Sequence, residues 1–147
     1  MKLIKLLLAV VLFFIIGLIF YSNYNLYYSP RLVTYGSVLV DEDLIKQLNY
    51  LKKSLNDGIA YKLQKQYPEG FFFSHLMYGL TWCEFAFDLP EGSKLKKKAI
   101  EEAIISLNKL ESAYCKKNFN ENLQLQYGAF YFSWTNYLRA KILLLSD

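Results

Sequence analysis

Glu84 and Asp88 are the residues whose types and spacing best suit chemistry in this chain. Four positions apart on a helix, their carboxyls share one face. Two neighbouring carboxylates are the equipment of general acid–base work such as sugar hydrolysis. His75 stands upstream on the same segment. The same residues also read as structure. Glu84 would pair with Arg139 or Lys141 across a helix interface and Asp88 would sit at a helix end, because an unpaired buried carboxylate is costly. Sequence supplies no second wall of titratable groups, so ion pairing is the expected role and these two remain the catalytic candidates.

The other reactive side chains are sparse. Cys83 and Cys115 fall on separate helices, roughly 25 Å apart along the axis at ~1.5 Å per residue, whereas bridged cysteines need Cα atoms within about 7 Å. Two free, mostly buried thiols are expected. A single histidine and the lack of a Cys-x-x-Cys pair give no basis for a metal site, and no glycine-rich phosphate loop or nucleophile elbow points to a cofactor. Lys94, Lys96, Lys97 and Lys98 form the densest basic run. It reads as a solvated face supported by Glu101 and Glu102 four residues on, with anionic lipid headgroups or an acidic partner as the alternative. Among the aromatics, Tyr78, Trp82, Tyr131, Trp134 and Tyr137 are the candidates for a binding surface. Core packing is the competing and favoured reading, since aromatic rings dominate core burial. With 13 tyrosines, whose hydroxyls need partners or water, some are expected to line a wet groove.

The elements that would carry these residues begin with an apolar run from Leu3 to Tyr21, broken only by Lys5 and Gly17. As a helix it spans roughly the hydrocarbon core of a bilayer. Lys2 and Lys5 precede its uncharged part, Leu6 to Phe20, which predicts a cytoplasmic N-terminus and a domain outside, periplasmic or extracellular. The flank Ile19-Phe20-Tyr21-Ser22-Asn23 offers no small-x-small cleavage site, so a retained anchor is expected over a signal peptide. Tyr21, Tyr24, Tyr27 and Tyr28 suit headgroup level, and Ser29-Pro30 ends the helix. The bounds read as an anchor over 1–28, a connector over 29–40 and a helical domain over 41–147.

Within the domain, Asp41 is expected to cap an amphipathic helix running to about Gln66, with Leu44, Leu48, Leu51, Leu55, Ile59 and Leu63 as its stripe. Pro68-Glu69-Gly70 ends it. Phe71 to Phe87 is apolar all round, the mark of a helix buried on every side or spanning a membrane; His75 and Glu84 make the second reading expensive. Ser93 opens a second amphipathic helix reaching about Tyr114. A second aromatic helix is expected from about Leu123 to Leu145. Tyr78-Gly79 and Tyr127-Gly128, 49 residues apart, suggest a repeat of two helical hairpins.

Outer amphipathic helices alternating with inner aromatic ones resemble the hairpins of α/α-toroid proteins, which include glycan-processing enzymes and lanthionine-cyclase-like proteins. Pro68-Glu69-Gly70-Phe71 and Tyr127-Gly128-Ala129-Phe130-Tyr131 carry the resemblance, over roughly Asp41 to Leu145. A toroid closes its ring with five to seven hairpins and this chain has two, so the resemblance implies a truncated relative or the first part of something larger. The stop at Asp147 directly after an apolar helix fits that expectation.

Setting aside Lys2 and Lys5 leaves 15 of the 17 Lys and Arg against 13 Asp and Glu, a net charge of about +2. So even a balance makes a poor nucleic-acid binder, which usually needs a clustered basic face, and no nucleic-acid partner is expected. The expected fold is all-α: an N-terminal transmembrane helix, then two helical hairpins as a four-helix bundle or partial toroid. The expected function is a membrane-anchored interaction or assembly module, contacting the bilayer through residues 3–21 and a protein or glycan partner through an aromatic groove. A partial carbohydrate-active toroid enzyme is the alternative.

Overall fold

The computed structural model describes residues 2–26, 31–36 and 38–146. It divides into two compact units, residues 1–31 and 32–147. The first is a single helix, α1 (Lys2–Leu26). Its stretch Ile4–Leu26 is long and apolar enough to cross a membrane, and its side chains are uncovered in the protein. The helix therefore runs past the Leu3–Tyr21 segment marked by hydropathy alone. Asn23 extends it by returning its side-chain amide to the Ile19 carbonyl at 2.9 Å. Tyr27, Tyr28 and the Ser29-Pro30 stop lie outside the described residues.

The second unit is helical apart from one small hairpin. The connector, in which Leu32, Val33, Val38 and Leu39 read as extended, pairs with itself as β1 (Leu32–Tyr35) and β2 (Val38–Asp41), antiparallel, with Leu32 opposite Asp41 and Tyr35 opposite Val38. Gly36 turns the chain at φ 69°, a conformation open to glycine at no steric cost. The period-two alternation of β2 puts Val38 and Val40 into the core and Leu39 outside.

Asp41 caps α2 (Glu42–Asn56) as expected, its carboxylate accepting from the Asp43 N–H at 2.8 Å. The single helix anticipated to Gln66 is broken. Gly58 adopts φ 82° and donates its N–H to the Leu55 carbonyl, closing α2 in the manner of a Schellman stop before α3 (Ile59–Gln66) begins. The turn from α3 into α4 (Gly70–Phe87) is equally constrained. A Cβ at Gly70 would overlap the Leu63 backbone, and the Gln64 side chain bridges the corner, donating to Pro68 O and accepting from Phe71 N.

α4 is the buried axis. Phe71, Phe72, Leu76 and Trp82 are fully enclosed, and α2, α3, α5 (Lys94–Leu110) and α7 (Gly128–Ser146) all pack on it, α5 most extensively. Gly79 lets three helices meet. A Cβ there would stand 2.8 Å from the Ser106 Cβ of α5 and 3.0 Å from Leu138 of α7.

The second amphipathic segment is also divided. α5 ends at Leu110, and Ser112 caps a one-turn helix, α6 (Ala113–Lys116), through the Cys115 N–H. Aromatic rings then stitch the ends together. Tyr61, Phe71 and Tyr114 meet with centroids 4.8–5.0 Å apart, and Phe72 meets Phe119 and Tyr131 at 5.3 and 5.7 Å.

α7 starts later than its sequence pattern predicts. Residues 120–127 form turns, with the Asn120 carboxamide accepting from Asn122 N. Tyr127 and Gly128 both take left-handed backbone, φ 67° and 82°, so a helix through Leu123 cannot form. The two Tyr-Gly pairs consequently occupy unlike places, one in the middle of α4 and one at the start of α7. Nor is α7 enclosed like α4. Tyr131, Thr135, Leu138, Ile142 and Leu145 face the core, while Phe130, Phe132, Tyr137, Leu143 and Leu144 stay exposed.

Replacing Gly79 by Ala is expected to destabilise the domain by about 1–3 kcal/mol through overpacking. Thermal unfolding in detergent, followed by circular dichroism, would show a lowered midpoint.

Candidate functional site

A well-formed, mostly apolar concavity lies where the break between α2 and α3 opens against α4. It is a groove of about 590 Å³ lined by Leu51, Leu55, Ile59 and Leu63 on one wall and by Phe73, Ser74, Met77, Tyr78 and Thr81 on the other. Most of the stripe read from α2 and α3 therefore faces this groove rather than sealed core. Tyr50, Asp57 and Lys62 complete its edge. Ser54 of α2 also lines it; on the α4 wall the hydroxyls are engaged, Ser74 donating to the Gly70 carbonyl at 2.6 Å and Thr81 to the Met77 carbonyl at 2.8 Å. What the groove offers an occupant is chiefly aliphatic and thioether surface.

Tyr78 links the groove to a polar group that sequence reasoning misplaced. Its hydroxyl donates to Glu102 Oε2 at 3.0 Å, and the Lys52 ammonium of α2 donates to Glu102 Oε1. Glu102 is 4% exposed. The i,i+4 spacing from Lys98 suggested a solvated pair, but this carboxylate turns inward and ties α2 to α4 and α5. Burial raises the Tyr78 phenol above its ordinary value, and the charge of Glu102 adds to the rise.

The lysine run is likewise not one solvated face. Lys94 and Lys97 are exposed, Lys96 is buried and paired with the exposed Glu91, and Lys98 lies over the Trp82 ring, 5.8 Å from its centroid. Helical geometry requires this division, since residues two apart point to different sides.

The carboxylates considered for catalysis are both placed by α4. Glu84 is exposed and accepts from the Lys141 ammonium of α7, and that hydrogen bond raises Lys141 above the ordinary lysine range. Asp88 is the C-cap of α4. Neither lines the groove. Arg139 pairs instead with Glu111 and Asn136.

Of the five aromatic candidates, Tyr78, Trp82 and Tyr131 are core residues. The Tyr131 hydroxyl donates to the Leu110 carbonyl at 3.0 Å, and burial pushes its pKa to about 12. Trp134 is half-buried and Tyr137 exposed, one beside the other on α7 with centroids 6.1 Å apart.

Cys83 and Cys115 are free and buried, and burial raises their thiols to about 11 and 12, leaving little of the nucleophilic thiolate. Among the described residues no group of three or more His, Cys, Asp or Glu side chains is placed to hold a metal ion. His75 packs on Phe71 with ring centroids 4.6 Å apart. Burial lowers its pKa to about 4, and Lys109 acts in the same direction.

No protein-family model, curated protein or solved structure matches this chain.

Two outcomes follow from the buried polar groups. Lys52→Ala should destabilise by about 1–3 kcal/mol, the cost of a charged hydrogen bond removed from a buried acceptor, whereas Lys53→Ala on the exposed side should change little; urea titration compares them. His75 is neutral in the fold and ionises near 6.5 when unfolded. Its contribution is complete above that pH and is lost as pH falls towards 4, at ~1.4 kcal/mol per pH unit. Stability measured from pH 7 to pH 4 should therefore decline more steeply in the parent than in His75→Leu.

Proposed function

We propose that this chain is a membrane-anchored interaction module. In this reading α1 holds it in a bilayer, with the N-terminus cytoplasmic and the helical domain on the other side. The groove between α2–α3 and α4 then seats an apolar segment of a partner protein.

The observation that carries the reading is the groove itself. Its volume of about 590 Å³ falls within the ~300–1,000 Å³ range typical of ligand sites. A core helix would ordinarily cover Leu51, Ile59 and Met77, yet all three are exposed. Amphipathic helices docking into apolar grooves use such walls, and methionine adapts to irregular partners. The lining favours a protein segment over a glycan. A sugar needs several hydrogen-bonding groups along its length; here the Ser74 and Thr81 protons are committed to α4 and most of the lining is apolar, with Tyr50, Ser54, Asp57 and Lys62 as the polar members left on the α2–α3 side. The Glu84–Lys141 pair supports an electrostatic brace between α4 and α7 in preference to acid–base catalysis.

A photo-crosslinking residue at Met77 of the full chain, activated in native membranes, tests this. One discrete polypeptide adduct is expected, lost in Leu51→Lys and kept in Leu144→Lys. Adducts with lipid alone, or a polypeptide adduct indifferent to Leu51→Lys, would overturn it.

A further inference from the structure

Away from the groove, on the α7 side of α4, a second apolar surface stands open. Phe130, Trp134, Tyr137, Lys141 and Leu144 recur at intervals of four, three, four and three, which places them on one side of α7. Leu144 is 69% exposed, Tyr137 47% and Phe130 44%. The stripe joins α4 along its edge. Phe130 meets Phe73 at 5.7 Å, and the Lys141 ammonium lies 5.1 Å from the Phe87 ring centroid and 5.5 Å from that of Tyr137. An exposed apolar patch of this kind marks an interaction site for protein or membrane.

We infer that this stripe rests in the interfacial layer of a lipid bilayer. The inference rests on the reading of α1 as a membrane anchor, and the chain itself supplies the argument for lipid. Only residues 27–31 separate α1 from the domain in sequence, so the domain works within short reach of whatever surface α1 enters. The side chains are those that suit headgroup depth. Trp134 and Tyr137 have an apolar body and a polar edge. Lys141 carries a long stem past two rings and ends in a charge already neutralised by Glu84, so partial immersion strands no lone ion. α7 thus meets lipid as an amphipathic interfacial helix does, with the protein core on its opposite side.

Tryptophan fluorescence provides the test, because the chain has only two tryptophans and Trp82 is enclosed. The full chain is reconstituted in phosphatidylcholine–phosphatidylglycerol vesicles, with and without lipids brominated near the headgroup end of the acyl chain. Vesicle flotation is scored on the same samples. Trp134 emission is taken from Trp82→Phe, and independently as the difference between the parent and Trp134→Phe, which remains valid if Trp82→Phe does not fold. The expected result is at least a twofold loss of Trp134 emission with brominated lipid, weak quenching by aqueous acrylamide and little change at Trp82. A chain that floats while Trp134 answers to acrylamide and ignores brominated lipid would overturn the inference and leave the anchor standing. A chain that does not float would overturn both.

Discussion

Covering α4 is the constraint on which the rest of the domain depends. Its sequence has almost no polar face, so water is excluded only if other elements close around it. Phe71, Phe72, Leu76 and Trp82 are each enclosed, and burying a large apolar side chain stabilises by roughly 1.5–3 kcal/mol before ordering entropy is counted. α5 approaches closely enough to do this because Gly79 has no side chain between Ser106 and Leu138. α3 folds back on α4 within a corner so tight that Gly70 admits no Cβ. Two glycines thus set the spacing of the helices, and the aromatic clusters at the α3, α6 and α7 ends fill what remains.

α2 is held differently. It packs less on α4 than α3 does, and its lower half is fixed by the Lys52–Glu102 pair with the Tyr78 hydroxyl on the second carboxylate oxygen. A buried carboxylate with two partners is satisfied, and such a group favours the one helix placement that keeps it so. Since Leu51 and Leu55 stand on the groove beside Lys52, the width of the groove is governed by this polar strap as much as by apolar packing. Elements with few enclosed contacts open at lower free energy than the core, which makes α2 the wall best able to adjust to an occupant.

Much of this architecture was legible in the sequence, and the failures have physical causes. The 3.6-residue stripes gave the helices, Asp41 and Ser93 announced their starts, and the even apolarity of Phe71–Phe87 identified the buried helix. Asp57-Gly58 carried the signal for the break between α2 and α3, but a continuous leucine stripe hid it. The hairpin at 32–41 is too short for alternation to stand out, with only Val38 and Val40 committed to the core. Glu102 was misread because local spacing offered Lys98, whereas its partners lie on α2 and α4, far apart in sequence. The groove depends on such tertiary placement, so its residues were named as a stripe without being recognised as a wall.

The two aromatic helices show most clearly what composition can and cannot specify. α4 and α7 are alike in being rich in aromatic rings, yet α4 is surrounded and α7 is covered on one face only. Composition records the rings of both helices; it does not record what covers them. In the folded domain Phe73 stands between two uncovered surfaces, lining the groove and meeting Phe130 of α7. One is a concave groove shaped by α2 and α3, and the other is a stripe along a single helix. A groove surrounds an inserted side chain and rewards a partner of matching shape, while a stripe on one helix suits a broad fluid layer that needs no matching shape. Both surfaces share α4 as their support, so the helix that organises the core also fixes the angle between the groove and the α7 stripe.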